Sequence, residues 1–119
     1  MRVPLHAVAH GRAGDKGDAS NVSVIAYLPA AWPAIRDQID EAAVMAIFAP
    51  LGATEARRYE LPRLHALNFV VEGALGGGVN STLALDRHGK TLSFLLLGEA
   101  TLEVEPEMIP EASSYRNVK

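Results

Sequence analysis

Apolar and polar residues alternate in short stretches along this chain, and glycine or proline marks most of the breaks between them. Leu5, Ala7 and Ala9 alternate with His6, Val8 and His10, which predicts a short strand over 5–9. Asn21-Val22-Ser23-Val24-Ile25-Ala26-Tyr27-Leu28 is β-branched and apolar on both faces, the pattern of a central strand. Beyond Pro29 the spacing changes. Ile35, Ile39, Ala42, Ala43, Ala46 and Ile47 recur at helical intervals, which predicts a helix over 31–48, interrupted near Asp40. Pro33 suits its first turn, and Pro50 with Gly52 ends it.

The second half is read in the same way. Glu55 to Leu61 alternates as a strand that Pro62 stops. Leu64 to Leu75 has helical apolar spacing, yet its centre, Asn68-Phe69-Val70-Val71-Glu72, is rich in β-formers. A hairpin is preferred, turning across Gly76-Gly77-Gly78 into a strand over 79–86. Asp86 to Gly89 makes another turn. Leu92, Leu95 and Leu96 share one helical face, so 91–97 is read as a helix, and 99–104 as a last strand. The order is strand, helix, strand, hairpin, helix, strand, with an extra strand in front. That order predicts an α+β, ferredoxin-like split βαβ sandwich, an antiparallel sheet with helices on one face. The domain is placed at 1–105, and the proline-interrupted polar end, 106–119, is expected to be a loose tail.

Composition narrows the chemistry. The 119 residues suit one domain with its own core. The hydrophobic share of 49% and charged share of 21% are those of an ordinary globular protein. A net charge of -3 without a basic block leaves no nucleic-acid footprint. With no cysteine, disulfides, thiolate catalysis and cysteine zinc sites are excluded. The N-terminus lacks an apolar signal core, and the run Phe94 to Leu97 is too short to span a bilayer, so a cytoplasmic location is expected.

Candidate chemistry concentrates in Gly11-Arg12-Ala13-Gly14-Asp15-Lys16-Gly17-Asp18-Ala19-Ser20-Asn21, where glycine falls at every third position. Read as a loop, this run has three uses. Arg12 and Lys16 with converging amides bind a carboxylate or phosphate. Asp15, Asp18 and Asn21 hold a hard cation through oxygen ligands. Alternatively the charges neutralise one another in a structural crossing. The internal charge balance argues against the cation site, and no metal or cofactor is assigned. Gly89-Lys90-Thr91 mimics the end of a phosphate-binding loop, but Ala84 stands where that motif needs glycine, so nucleotide binding is rejected. Asp15 or His10, with Lys16 beside them, is the candidate proton carrier, though a surface histidine is the commoner role for His10. His6 is expected on the same strand face, and His65 and His88 in exposed turns. Asn68, set among Leu67, Phe69 and Val70, needs partners if buried and is expected to brace the glycine run or touch a ligand. Gly77 is included as a point of close ligand approach. Arg57 and Arg58 are expected on a solvated face, and Trp32 and Tyr27 at the core margin or an interface.

His10 to Val22 resembles the opening of the small ferredoxin-fold domain of AtuA-type (acyclic terpene utilisation) proteins. Arg58-Tyr59-Glu60-Leu61-Pro62, Leu67-Asn68-Phe69-Val70 and Gly73-Ala74-Leu75-Gly76-Gly77-Gly78-Val79 are similar to later blocks of that family, in the same order. The likeness runs over roughly residues 3 to 105. It implies the fold above and a place in terpenoid or branched acyl-CoA catabolism. It also implies assembly, since the domain is fused to a larger one in longer relatives. The expected role is an accessory or ligand-binding module that pairs with itself or a larger AtuA-type protein. The alternative is a small enzyme that acts on a carboxylate or acyl-CoA intermediate through the Gly11–Asn21 run.

Overall fold

The computed structural model describes residues 1–16, 19–73 and 90–117. In chain order the elements are β1 (Arg2–Pro4), β2 (Ala9–Lys16), β3 (Ala19–Ala26), α1 (Trp32–Gln38), α2 (Glu41–Phe48), β4 (Glu55–Leu61), β5 (Ala66–Glu72), α3 (Lys90–Glu99) and β6 (Thr101–Glu103). A four-stranded antiparallel sheet runs in the order β2-β3-β5-β4, and β1 pairs with β6 beside it. Strands β3 and β4 flank β5 and are joined through α1 and α2, which is the split βαβ arrangement. The extra N-terminal strand, β2, takes the place beside β3, and β6 is held by β1 instead.

The sheet has one covered face. Val22 and Val24 of β3 and Leu67, Phe69 and Val71 of β5 alternate inward and are at most 1% exposed. They meet Ile35, Val44 and Phe48 from α1 and α2, Ile39 from the link between them, and Leu92 and Leu96 from α3. The predicted break in the helical stretch is real. Ile39 leaves helical geometry, and the Asp40 carboxylate accepts the Ala43 N–H at 2.9 Å, capping α2. The Gln38 side chain exchanges two bonds with the Glu103 backbone, at 2.7 and 2.8 Å, and ties α1 to β6.

Five expectations change. Leu5–Ala7 is a 3-10 turn rather than a strand, because the Leu5 N–H is drawn to the Ala100 carbonyl (2.8 Å). His6 therefore leaves the strand face of His10 and sits against Tyr115, ring centroids 5.5 Å apart. The glycine run is no loop: Gly11 to Lys16 belongs to β2 and pairs with Ala19 to Val24 of β3 in unbroken register. Arg58 does not decorate a solvated face. Its guanidinium donates to the carbonyls of Arg36 (2.6 Å) and Ile39 (2.9 Å) and caps the C-terminus of α1. The end of the chain is not loose up to Asn117. Ile109 is fully buried, and Arg116 donates to its carbonyl at 2.7 Å. The strand at Ala66–Glu72 agrees with the preferred reading of that ambiguous stretch, while the triple glycine, the strand at 79–86 and His88 lie outside the described residues.

Glycine has two different duties in this fold. At Gly52 (φ 106°) and Gly73 (φ 87°) the backbone is left-handed, and a Cβ on Gly73 would meet the Gly52 carbonyl oxygen at 2.9 Å. At Gly11 the need is closeness instead. A Cβ there would sit 2.6 Å from the Ser23 carbonyl oxygen and 3.4 Å from Leu97 of α3.

Candidate functional site on the open sheet face

Strand geometry sends alternate residues to opposite faces, so the positions between the buried ones form an uncovered face. His10, Arg12 and Gly14 of β2 lie on it, all exposed. The register places Arg12 beside Ser23, Ser23 beside Asn68, and Asn68 beside Tyr59, a polar row across all four strands. The next row is Gly14, Asn21, Val70 and Arg57.

The centre of this face is pre-ordered. Asn21 donates to Asn68 Oδ1 at 3.1 Å, and Asn68 donates to Asn21 Oδ1 at 2.6 Å and to Ser23 Oγ at 2.9 Å. Asn68 thus braces β3, as its setting among apolar residues anticipates. Arg57 is held by Glu72 (3.0 Å) and Glu55 (3.2 Å). Arg12 differs: among the described residues it has no ion pair or hydrogen bond. It borders a shallow groove of about 660 Å³ with Gly14, Ala19, Ser20, Asn21, Ser23 and Val70. Ser20 is 1% exposed, and its hydroxyl has no hydrogen-bond partner among the described residues. An unpartnered buried hydroxyl is unfavourable by roughly 1–3 kcal/mol, and Ser20 shares the inward parity of Val22 and Val24, on the covered side of the strand.

The candidate residues divide into two groups. Arg12, Gly14, Asn21 and Asn68 come together on the open face. Asp15 and Lys16 lie in register with Ser20 and Ala19 at the far end of β2, five and six residues from His10. At ~3.3 Å per residue that is about 17–20 Å of strand between the backbone of His10 and that of Asp15 and Lys16. The His10 ring stacks near Tyr27, centroids 5.1 Å apart. Gly17, Asp18 and Gly77 lie outside the described residues. Among the described residues no group of three or more histidine or acidic side chains is placed to hold a metal, and no helix is long and apolar enough to cross a membrane.

Ser20, Ser23 and Tyr59 were not singled out from the sequence. Ser20 carries a readable signal, a polar residue on the inward parity of an otherwise Val-rich strand. Ser23 shares a strand face with Asn21 at a spacing of two. Tyr59 becomes visible only once β4 is in register with β5.

Comparison with known families gives one match. The model described as the AtuA ferredoxin-like domain covers residues 3–102, most of the chain. No curated protein and no solved structure matches it significantly.

Proposed function

Because the chain belongs to the AtuA ferredoxin-like domain family, we propose that it is a ligand-binding accessory module of terpenoid or branched acyl-CoA breakdown. It holds a small carboxylate, free or carried as an acyl-CoA, against its open sheet face. It works beside a second copy of itself or a larger AtuA-type protein. The observation that carries this reading is Arg12, a guanidinium that has no counter-ion among the described residues and stands at the rim of a groove whose floor is already hydrogen-bonded. A planar guanidinium matches a carboxylate with two parallel N–H···O bonds. The Asn21–Asn68–Ser23 network spares the site the entropy of ordering its polar groups on binding.

Thermal melting with branched short-chain carboxylates, their CoA thioesters and inorganic phosphate tests it. A true ligand at a hundred times its dissociation constant stabilises the fold by about 2.7 kcal/mol, seen as a rise in Tm. Arg12→Ala is expected to remove that rise without lowering the unliganded Tm, and Asn68→Ala to weaken it. A response that survives both substitutions, or no response to any of these compounds, overturns the reading.

A further inference from the structure

The two edges of the four-stranded sheet are built differently. The β4 edge carries Glu55, Arg57, Arg58 and Glu60 within seven residues, the charged composition that keeps edge strands from pairing. The β2 edge runs Ala9-His10-Gly11-Arg12-Ala13-Gly14-Asp15-Lys16, with no proline and no bulge in its eight residues. Among the described residues no strand lies on the other side of its ladder to β3. The Tyr27 N–H donates to the Val8 carbonyl at 2.9 Å, so Val8, His10, Arg12 and Gly14 face β3 with their main-chain groups. The N–H and C=O groups of Ala9, Gly11 and Ala13 then point away from the sheet, and among the described residues nothing pairs with them. On the helix side of this edge stands Phe94, 73% exposed, bordering a groove of about 340 Å³ with Gly11, Arg12, Ala13 and Ser93.

We propose that a second copy of this chain docks here, β2 against β2, across a two-fold axis at Ala13, and joins the two sheets into one. The inference specifies the assembly part of the reading above and does not depend on the ligand part. An antiparallel strand pair is its own two-fold partner, so one edge serves both copies. If the open faces are to stay continuous, residues of like parity must stand opposite. Three central registers satisfy that condition. Arg12 opposite Arg12 and Arg12 opposite Lys16 both oppose like charges, which is unfavourable. Ala13 opposite Ala13 sets each Arg12 against a Gly14, which leaves room for the guanidinium. The outward groups of Ala13 meet each other in this register, and those of Gly11 meet Asp15, giving on the order of six main-chain bonds. The Phe94 rings, one from each copy, supply an apolar anchor on the helix side.

The test is the mass in solution by size-exclusion chromatography with light scattering. Wild type is expected at twice the 12.7 kDa chain mass. In the single chain a Cβ at Gly14 meets nothing within 4 Å and the position is exposed, so Gly14→Arg is expected to leave the fold intact. In the dimer it faces Arg12 of the other copy, and a weakening of tenfold or more is expected. Gly14→Glu, which faces the same Arg12 with a carboxylate, is expected to keep or tighten the dimer. Ala13→Pro removes an outward N–H and is expected to dissociate it. Should Ala13→Pro misfold, hydrogen exchange on the wild type decides, because protection of the Gly11 and Ala13 amides must rise with protein concentration. Single-chain mass at every concentration overturns the proposal, and so does a dimer indifferent to Gly14→Arg or one without that protection. A melting response to carboxylates that Arg12→Ala removes would stand in any of these outcomes, so the two readings fail separately.

Discussion

The two faces of the four-stranded sheet come from the same residues in alternation, yet they obey different rules. On the covered face of β5, Leu67, Phe69 and Val71 are fully buried under the helices. On the open face of the same strand, Asn68 and Val70 stay half-exposed, and the neighbours of Asn68 are amides and a hydroxyl rather than methyl groups. Burial of apolar area stabilises the first face. The second buries less apolar area and carries a cation, Arg12, that has no ion pair among the described residues. A face that does not stabilise the fold is free to be shaped by what it binds, and that division is what makes the open side the place to look for function.

Substitutions at adjacent positions can break this contrast. Phe69→Ala empties a fully buried site and is expected to destabilise by about 3–5 kcal/mol, whereas Val70→Ala, one residue on, stays below about 1 kcal/mol. Equal shifts in urea midpoint for the two would show that the faces are not distinct. Arg58→Ala, on β4, leaves the last carbonyls of α1 without their donor and is expected to lose about 1.5–3 kcal/mol. Its neighbour Arg57, paired only at the surface, is expected to tolerate alanine with little change in Tm. Gly11→Ala forces a methyl against the Ser23 carbonyl and Leu97, an overpacking of about 1–3 kcal/mol, while Gly14→Ala is expected to be nearly neutral. The smallest effect is electrostatic. The hydrogen bond from Arg36 holds the Asp37 carboxyl below its ordinary range. A depressed native pKa adds stability above the unfolded-state value and loses it as pH falls through the native one. Asp37→Asn should therefore flatten the stability–pH slope slightly in the acid range and leave it unchanged near neutrality.

Local pattern was a good guide where one face of an element is buried and the other wet. The alternation in β4, the helix break at Asp40 and the leucine face of α3 could all be read directly, whereas β3 was read as apolar on both faces and buries only the face of Ser20, Val22 and Val24. Leu64 to Leu75 was ambiguous because its neighbours decide it: β5 is a strand by virtue of lying between β3 and β4, which no local window contains. The glycine run misled for a related reason. Glycine is depleted in strands by its own propensity, but Gly11 is needed where Leu97 of α3 presses on β2, a contact between residues far apart in sequence. The loose-tail expectation failed because Ile109 and Met108 stand between prolines in a short stretch with no periodicity to announce their packing. Of the site, Arg12, Gly14, Asn21 and Asn68 were legible as residue types. Their meeting on one face required the register of three strands.

The pairing of β1 with β6 has a mechanical side. Arg2 stands opposite Glu103, so the outer ends of both strands lie side by side, and the terminal ammonium reaches the Val104 carbonyl at 3.0 Å. Tension applied through those two ends would part this short ribbon like a zipper, one rung after another, instead of shearing every rung together. The four-stranded sheet would carry load only after that clasp and the buried Ile109 beyond it had come away.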